Sequence, residues 1–209
     1  MFYVATNRRD WEASEFYREG AKLAQAALDW AGEVSPSRML EIGCGAGRML
    51  VHFAPRFDRV DGIDIAPEMI ETAKRANLPD NVHLALSSGT DLREFEDACF
   101  GFVFCQVVFQ HIPDREVVAS YLCEVARVLA PAGKAVMQFD TRPQRLLRTL
   151  VMKLPDPILP RQWRRFIRRY PVPREWLSAQ LRATGLEVLD ERNPGTDNHL
   201  VLCRVRPGG

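Results

Sequence analysis

A glycine-rich turn between a short apolar strand and a helix constrains this chain more than any other feature. Residues 39–42 are mostly apolar, residues 43–47 read Gly-Cys-Gly-Ala-Gly, and an apolar helical segment begins at Met49. Three glycines within five residues are typical of a backbone that turns sharply or approaches a ligand closely. The order of strand, turn and helix predicts the first unit of a parallel sheet.

The same alternation continues along the chain. Periodicity predicts an N-terminal helical segment over residues 10–31, a stop at Gly32, and a helix capped by Asp114. Further strands are predicted at 59–64, 82–86, 100–108, 134–139, 186–192 and 200–205, with helices at 49–54, 68–75, 114–129 and 173–184 between them. These patterns predict an α/β fold of doubly wound type, with a mostly parallel sheet, helices on both faces and a terminal antiparallel hairpin.

Composition narrows the class of protein. A length of 209 residues, with 46% hydrophobic and 26% charged residues, is typical of one globular domain spanning residues 1–209. The chain has no apolar stretch of about 18 residues, and its start lacks the apolar core of a secretory signal, so we expect a cytoplasmic protein. The five cysteines show no metal-ligand spacing with the four histidines, so we expect no metal and mostly buried thiols.

The glycine turn does not match the common nucleotide phosphate motifs. A dinucleotide fingerprint needs a third glycine where this chain has Arg48, and no Gly-Lys-Ser/Thr follows to make a P-loop. Asp64 lies 21 residues beyond Gly43, at the end of the second predicted strand, where a carboxylate can accept hydrogen bonds from both hydroxyls of a ribose. An adenosine ligand is therefore expected, with Ile65 flanking the purine; the alternative for Ile65 is an ordinary core residue.

Small residues follow the third predicted strand. Ser88 and Gly89 offer backbone groups for an adenine edge, and the alternative is a polar turn.

Four ordered segments, 40–47, 60–69, 108–114 and 127–133, resemble the motifs of class I S-adenosylmethionine-dependent methyltransferases. The likeness spans about residues 12–139. It implies a Rossmann-like sheet of seven strands, one of them antiparallel, and S-adenosyl-L-methionine as cofactor. It also implies the following cofactor-binding residues: Glu41, Gly43, Gly45 and Gly47 at the methionine end, Asp64 and Ile65 at the nucleoside, Ser88 and Gly89 by the adenine, Gln106 under the sulfonium, and Tyr17.

The chain departs from the family pattern at two positions. Many relatives have an aspartate where this chain has Ser88, which weakens any inference about adenine discrimination. Ala132 replaces a glycine before the fifth strand, a change expected to affect turn geometry rather than chemistry.

One histidine is a candidate general base. Methyl transfer requires mainly alignment and exclusion of water, and a base helps only when the acceptor is a phenol or a protonated amine. His111, just past the fourth predicted strand, is the best-placed candidate, and the alternative is a histidine that packs or caps the turn at Ile112. His52, His83 and His199 show no partner pattern and are expected to be structural.

A long connection separates the fifth strand from the last helix. Residues 141–171 carry two apolar helical stripes around a proline turn, which predicts a helical lid over the acceptor. From Arg142 to Arg174 there are ten basic residues and one acidic residue. Arg164, Arg165, Arg168 and Arg169 admit three explanations: a solvated face, contact with an anionic substrate or membrane surface, or contact with nucleic acid.

The predicted function is methylation of an O, N or C nucleophile on a small organic acceptor, of hydrophobic or lipid-like character. Nucleic acid is disfavoured, because residues 105–108 lack the Asp/Asn-Pro-Pro-Tyr/Phe motif of base amino methyltransferases. The alternatives are an RNA or protein methyltransferase docking through residues 142–174, a non-catalytic adenosyl-ligand-binding module, and a nicotinamide oxidoreductase. The oligomeric state is left open.

Overall fold

The computed structural model describes residues 12–143 and 168–206, and these residues contain one twisted sheet. Its strands are β1 (Arg38–Ile42), β2 (Arg59–Asp64), β3 (Val82–Leu86), β4 (Phe100–Cys105), β5 (Leu129–Phe139), β6 (Leu186–Arg192) and β7 (His199–Val205). They lie side by side in the order β3-β2-β1-β4-β5-β7-β6. β7 runs antiparallel to both of its neighbours, β5 and β6, and the other neighbouring strands of this sheet are parallel to each other. The prediction of a seven-stranded, mostly parallel sheet with one antiparallel strand is confirmed.

Helices connect the strands over both faces of the sheet. They are α1 (Ala13–Ala31), α2 (Leu50–Phe53), α3 (Pro67–Lys74), α4 (Arg115–Val128) and α5 (Arg174–Ala183). The predicted cap of α4 is confirmed, since the Asp114 carboxylate accepts a hydrogen bond from the Glu116 N–H at 2.9 Å. The predicted stop of α1 is also confirmed: Gly32 adopts φ +67° and its N–H donates to the Leu28 carbonyl.

Two hydrophobic clusters lie on opposite faces of the sheet. One cluster joins Met39 and Phe102 to α1, α2 and α3, and the other joins Leu40 and Val103 to α4 and α5. Neighbouring residues of one strand enter opposite clusters because side chains alternate along a strand. All six residues of β4 are buried, as expected for a central strand covered on both faces.

The structure corrects three predicted boundaries. The fourth strand ends at Cys105 rather than at residue 108, because Val107 adopts φ +61°, which a strand cannot accommodate. The fifth strand begins at Leu129 rather than Lys134, and residues 131–133 form an irregularity within it, with Ala132 at φ +63°. The helix predicted at 49–54 is shorter, being α2 followed by a 3₁₀ turn over Ala54–Arg56.

The carboxyl ends of β1, β2 and β4 meet at one edge of the sheet. The chain moves outward from β1 through β2 to β3 and then returns to the other side of β1 as β4. Such a reversal of strand order separates the connecting loops and leaves a crevice between them, which is where open α/β sheets bind ligands.

Most of the predicted lid, residues 144–167, lies outside the described residues, and so do Arg164 and Arg165. Both flanks of this segment are tied to the β6–β7 loop: Arg142 and Arg169 each form an ion pair with Asp197, at 3.6 and 2.8 Å. Arg174 pairs with Glu191 at 2.8 Å. Part of the positive charge of residues 142–174 is therefore compensated by acidic residues outside that segment.

In the described part of the chain, no helix is both long enough and apolar enough to cross a membrane. Three of the cysteines, Cys44, Cys105 and Cys203, are buried as expected, whereas Cys99 is half-buried and Cys123 is exposed.

Candidate functional site

A cavity of about 400 Å³ opens at the carboxyl edge of the sheet, between the ends of β1, β2 and β4. Residues from the N-terminal helix, the loops after these three strands and α4 surround it. The lining residues include Phe16, Glu41, Gly43, Gly45, Arg48, Asp64, Ile65, Met69, Ser87, Gly89, Gln106, Val107, Val108, His111, Ile112 and Tyr121. The crevice predicted from the strand order is thus a formed pocket.

The glycine turn is held against the second strand. The N–H groups of Gly43 and Cys44 both donate to the Ile63 carbonyl, at 2.8 and 3.0 Å. Gly43 has φ +75°, and a Cβ atom there would lie 2.1 Å from Cγ2 of Val108. Gly45 has φ +54° and nothing within 4 Å of its Cβ position. The turn therefore packs tightly at Gly43 and leaves open space at Gly45.

Backbone hydrogen bonds fix the Asp64 carboxylate at the end of β2. Its Oδ2 accepts from the Gly45 N–H and its Oδ1 accepts from the Ala66 N–H, both at 2.9 Å. Each carboxylate oxygen can accept a further hydrogen bond. Asp64 therefore stands oriented at the cavity with acceptor capacity left for two hydroxyl groups.

Glu41 is a buried carboxylate that the protein leaves without a hydrogen bond. Its side chain lines the cavity with 1% of the residue exposed, and neither oxygen has a partner among the described residues. Burial raises the pKa of Glu41 well above 4.5, and the charge of Asp64 adds to this, while Arg48 acts in the opposite direction. Buried polar groups are almost always hydrogen-bonded, so this pair of oxygens indicates a binding site for a donor group.

A second unpartnered group lies at the end of β4. Gln106 lines the cavity, and its Oε1 atom is buried and lacks a hydrogen bond to any described residue. Val107, the next residue, has φ +61°. A β-branched residue in this conformation is strained by about 1–3 kcal/mol. The strain bends the chain out of the sheet directly after Gln106 and brings Val107 and Val108 into the cavity wall.

His111 lies at the cavity, where the prediction of a general base placed it. Its Nδ1 atom is 3.0 Å from the carbonyl oxygen of Arg168, at the far end of the 141–171 segment. Burial lowers the pKa of His111 below 6.5; the Arg168 carbonyl raises it, the charge of Arg169 lowers it, and Asp140 raises it. The imidazole is therefore neutral at physiological pH, as a proton acceptor must be.

The other predicted site residues divide into two groups. Ile65 lines the cavity and is 67% exposed, and Gly89 lies beside it, with its Cβ position 3.0 Å from Ile65 Cγ2. Gly47, Ser88 and Tyr17 are not among the lining residues. Ser88 instead lies close to Thr90 and Asp91, within a turn. Contact of these three residues with a cofactor stays a prediction.

Phe16 and Arg48 line the cavity although neither was predicted as a site residue. Phe16 of α1 is buried and forms one wall of the cavity, and the Arg48 guanidinium lies over its ring, 5.5 Å from the centroid. A Cβ atom at Gly20 would lie 2.4 Å from the Arg48 carbonyl oxygen, so α1 approaches the glycine turn at that point. Phe16 lies within the predicted N-terminal helix, but helical periodicity does not tell what the buried face of that helix covers.

The cavity is also lined by three residues that were not predicted as site residues: Met69, Ser87 and Tyr121. Tyr121 of α4 is buried in the same hydrophobic cluster as Leu40 and Val103.

Comparison with known proteins agrees with this geometry. Residues 40–137 match the family model described as "Methyltransferase domain". A ubiquinone biosynthesis O-methyltransferase of Xanthomonas oryzae pv. oryzae is 28% identical over 137 residues, which are 63% of this chain and 56% of that protein. The chain thus spans little more than half of that relative. The enzyme of the same name from Hahella chejuensis is 28% identical over 194 residues, covering 88% of this chain and 78% of that protein.

Solved structures share the fold. A S-adenosylmethionine-dependent methyltransferase from Clostridium acetobutylicum superimposes with a TM-score of 0.67 at 15% identity, covering 90% of this chain and 92% of that one.

Proposed function

We propose that this chain, whose residues 40–137 match the model of a methyltransferase domain, is a class I S-adenosylmethionine-dependent methyltransferase, a cytoplasmic enzyme that methylates an O, N or C nucleophile of a small organic acceptor. S-adenosyl-L-methionine is the cofactor of this family. The observation that carries the proposal is the Glu41 carboxylate, buried at the cavity without a partner.

The side chains present fit this cofactor. An amino acid ammonium group is the donor that the unpaired Glu41 oxygens lack, and a charge-assisted hydrogen bond would be strong in this buried position. Asp64, already held by two backbone N–H groups, suits a ribose with two hydroxyls. Ile65 and Gly89 provide an apolar, close-fitting surface for a purine. The three parts follow one another along the edge of β1, β2 and β3.

When bound, the cofactor would supply a methyl carbon on a positively charged sulfur, which is the electrophile for the acceptor atom. The chain contributes alignment and exclusion of water. Phe16, Val107 and Val108 surround the cavity with apolar groups. The unpaired Gln106 oxygen offers a dipole that favours positive charge close to β4.

The proposed acceptor is hydrophobic and carries a hydroxyl. The two relatives named above are O-methyltransferases of ubiquinone biosynthesis, and the apolar stripes of residues 141–171 suit an apolar molecule. His111 is the proposed base for such a hydroxyl, because its neutral imidazole lies at the cavity.

The basic residues of the 141–171 segment are proposed to hold an anionic group of the acceptor or an anionic membrane surface. Arg169 already pairs with Asp197, so Arg164 and Arg165 are the better test. Neutralising both should weaken acceptor or vesicle binding and reduce its salt sensitivity, because screened attraction has been removed. Unchanged binding to acceptor and to anionic vesicles would show that these arginines only face solvent.

A methyl-transfer assay tests the proposed function. The purified protein is incubated with isotopically labelled S-adenosylmethionine and phenols of graded hydrophobicity, and labelled product is identified by mass spectrometry. Asp64→Ala is the matched negative variant, since it removes the proposed ribose contact without changing the acceptor side of the cavity. Transfer by the wild type and its loss in the variant support the proposal. Equal background in both proteins across phenol, amine and carbon acceptors contradicts it.

A further inference from the structure

Two buried glutamines, Gln110 and Gln138, form a chain of hydrogen-bond contacts with His111, and the proposed function assigns them no role. Gln110 and Gln138 are 1% and 4% exposed, and neither is among the residues that line the cavity. A buried amide needs partners for both its oxygen and its nitrogen, so its orientation carries information about the groups around it.

Backbone groups fix the orientation of the Gln138 amide. The Val107 N–H can only donate, and it lies 3.2 Å from Gln138 Oε1. The Asp197 carbonyl can only accept, and it lies 3.2 Å from Gln138 Nε2. Rotating the amide by half a turn would break both hydrogen bonds. Gln138 therefore presents its Nε2 donor, and not its oxygen, to Gln110.

The orientation of the Gln138 amide fixes the orientation of the Gln110 amide, which in turn determines which nitrogen of His111 is protonated. Gln138 Nε2 donates to Gln110 Oε1 at 3.4 Å, which leaves the Gln110 Nε2 donor facing the ring. That nitrogen lies 3.4 Å from His111 Nε2. Two donors cannot share a hydrogen bond, so His111 Nε2 has to be the unprotonated nitrogen of the ring.

The other side of the ring leads to the same assignment independently. His111 Nδ1 lies 3.0 Å from the Arg168 carbonyl, which can only accept, so Nδ1 carries the proton. The 3.4 Å contact at Nε2 is longer than the 3.0 Å contact at Nδ1, so a hydroxyl or amine of the acceptor can replace the Gln110 donor at the single lone pair of Nε2.

We propose that Gln110 and Gln138 are positioning residues that, together with the Arg168 carbonyl, hold His111 in the neutral tautomer with Nδ1 protonated until the acceptor replaces Gln110 as the hydrogen-bond donor to Nε2. This inference rests on the proposed function. It narrows the acceptor to a molecule that carries a proton on its nucleophile, a hydroxyl or an amine, and disfavours a carboxylate. As the nucleophile bonds to the methyl carbon, its O–H or N–H bond breaks, and the proton binds Nε2 while Nδ1–H remains on the Arg168 carbonyl.

Nitrogen-15 NMR of the histidine rings tests the tautomer in the protein without ligand. The chain has four histidines, and the His111 signals are identified by their loss in His111→Ala. We expect the pattern of a protonated Nδ1 and an unprotonated Nε2. A protonated Nε2 in the neutral ring would overturn the proposal, and this measurement needs no other variant to fold.

Gln110→Glu tests the role of the glutamines. A carboxylate at residue 110 still accepts from Gln138 but now offers an acceptor to His111 Nε2, so we expect a protonated Nε2 at neutral pH and a fall in turnover of about 10-fold or more. Gln110→Met removes the polar group and leaves the Arg168 carbonyl in place, so Nδ1 should stay the main site of the proton while the tautomer with a protonated Nε2 becomes measurably more populated; a tautomer ratio equal to that of the wild type would overturn the role of Gln110. Arg169 and Asp140, the charged groups that act on His111, are unchanged in both variants.

Gln180→Glu on α5 controls for the added charge and should leave the His111 signals as in the wild type. A Gln110→Glu protein whose His111 ring is indistinguishable from the wild type overturns the positioning role. So does a changed ring accompanied by wild-type turnover. Failure of the wild type to bind S-adenosylmethionine would instead refute the proposed function, while the NMR result would stand on its own.

Discussion

Replacing Glu41 with glutamine should stabilise the ligand-free protein and weaken cofactor binding. The Glu41 carboxylate is buried with both oxygens unpaired. Leaving a buried polar group unsatisfied costs about 1–3 kcal/mol, and more when the group is charged. Removing the charge should recover about 1–3 kcal/mol, and for a domain of this size the melting temperature should rise by about 2–12 °C.

The gain should depend on pH in a defined direction. Burial raises the pKa of Glu41 above the ordinary value of 4.5. Between 4.5 and this raised pKa, the folded protein binds more protons than the unfolded chain, so Glu41 lowers stability as pH rises through that interval. The advantage of Glu41→Gln should therefore be smallest below pH 4.5 and grow as the pH approaches neutrality.

In contrast to stability, cofactor affinity should fall in Glu41→Gln. Each charge-assisted hydrogen bond from the ammonium group to Glu41 is worth about 1.5–3 kcal/mol, so losing one should raise the dissociation constant by about 10- to 150-fold. Differential scanning fluorimetry measures the first effect, and titration calorimetry with S-adenosylhomocysteine measures the second.

Asp61 provides the matched control for Glu41. It is also a buried carboxylate, on the neighbouring strand β2, but Arg38 and Arg59 form ion pairs with it at 2.7 and 2.9 Å. Burial alone would raise the pKa of Asp61, and the hydrogen bonds from these two arginines outweigh it and lower the pKa. Asp61→Asn should therefore destabilise the protein at neutral pH. If Glu41→Gln also destabilises it and leaves ligand affinity unchanged, the reasoning is wrong.

Four further substitutions have expected outcomes. Asp64→Ala should weaken binding of S-adenosylhomocysteine by about 1.5–3 kcal/mol for each ribose hydrogen bond lost, and an unchanged dissociation constant in the folded variant would refute the ribose assignment. His111→Ala should retain cofactor affinity and lose about 100-fold in turnover on a hydroxyl acceptor; wild-type turnover at every pH would make His111 structural. Gly43→Ala should destabilise the protein and weaken cofactor binding, because the added Cβ would lie 2.1 Å from Val108 Cγ2. Gly195→Ala is its control: Gly195 has φ +80° and nothing within 4 Å of its Cβ position, so this variant should cost only backbone strain of about 1–3 kcal/mol. Equal losses in melting temperature for the two glycine variants would argue against the tight packing at Gly43.

Features encoded in short stretches of sequence could be predicted. The strand, glycine turn and helix around Gly43 form one local unit, and Asp64 follows the next strand directly, so both reach the same edge of a parallel sheet. Asp114 caps its helix through a hydrogen bond two residues away. Local periodicity likewise gave β2, β3 and β6 with the bounds that the structure shows.

Features that depend on distant parts of the chain could not be predicted. The end of β4 was placed too late because Val107 and Val108 are strong strand formers, and tertiary packing overrides that preference. Phe16 reaches the cavity only because α1 packs across the glycine turn at Gly20. Gln138 lies on the fifth strand and acts on a loop 31 residues earlier, a pairing that no local pattern contains.

Titration calorimetry of the wild-type protein with S-adenosylmethionine, S-adenosylhomocysteine and NAD tests the central claim most directly. The cavity combines an unpaired Glu41 for an ammonium group with Asp64 for a ribose, and its glycine turn lacks the third glycine of a dinucleotide site. We predict saturable one-to-one binding of both adenosyl ligands and much weaker binding of NAD. Binding of NAD as tight as or tighter than that of the adenosyl ligands, or no response to either adenosyl ligand, would contradict the assignment of this cavity.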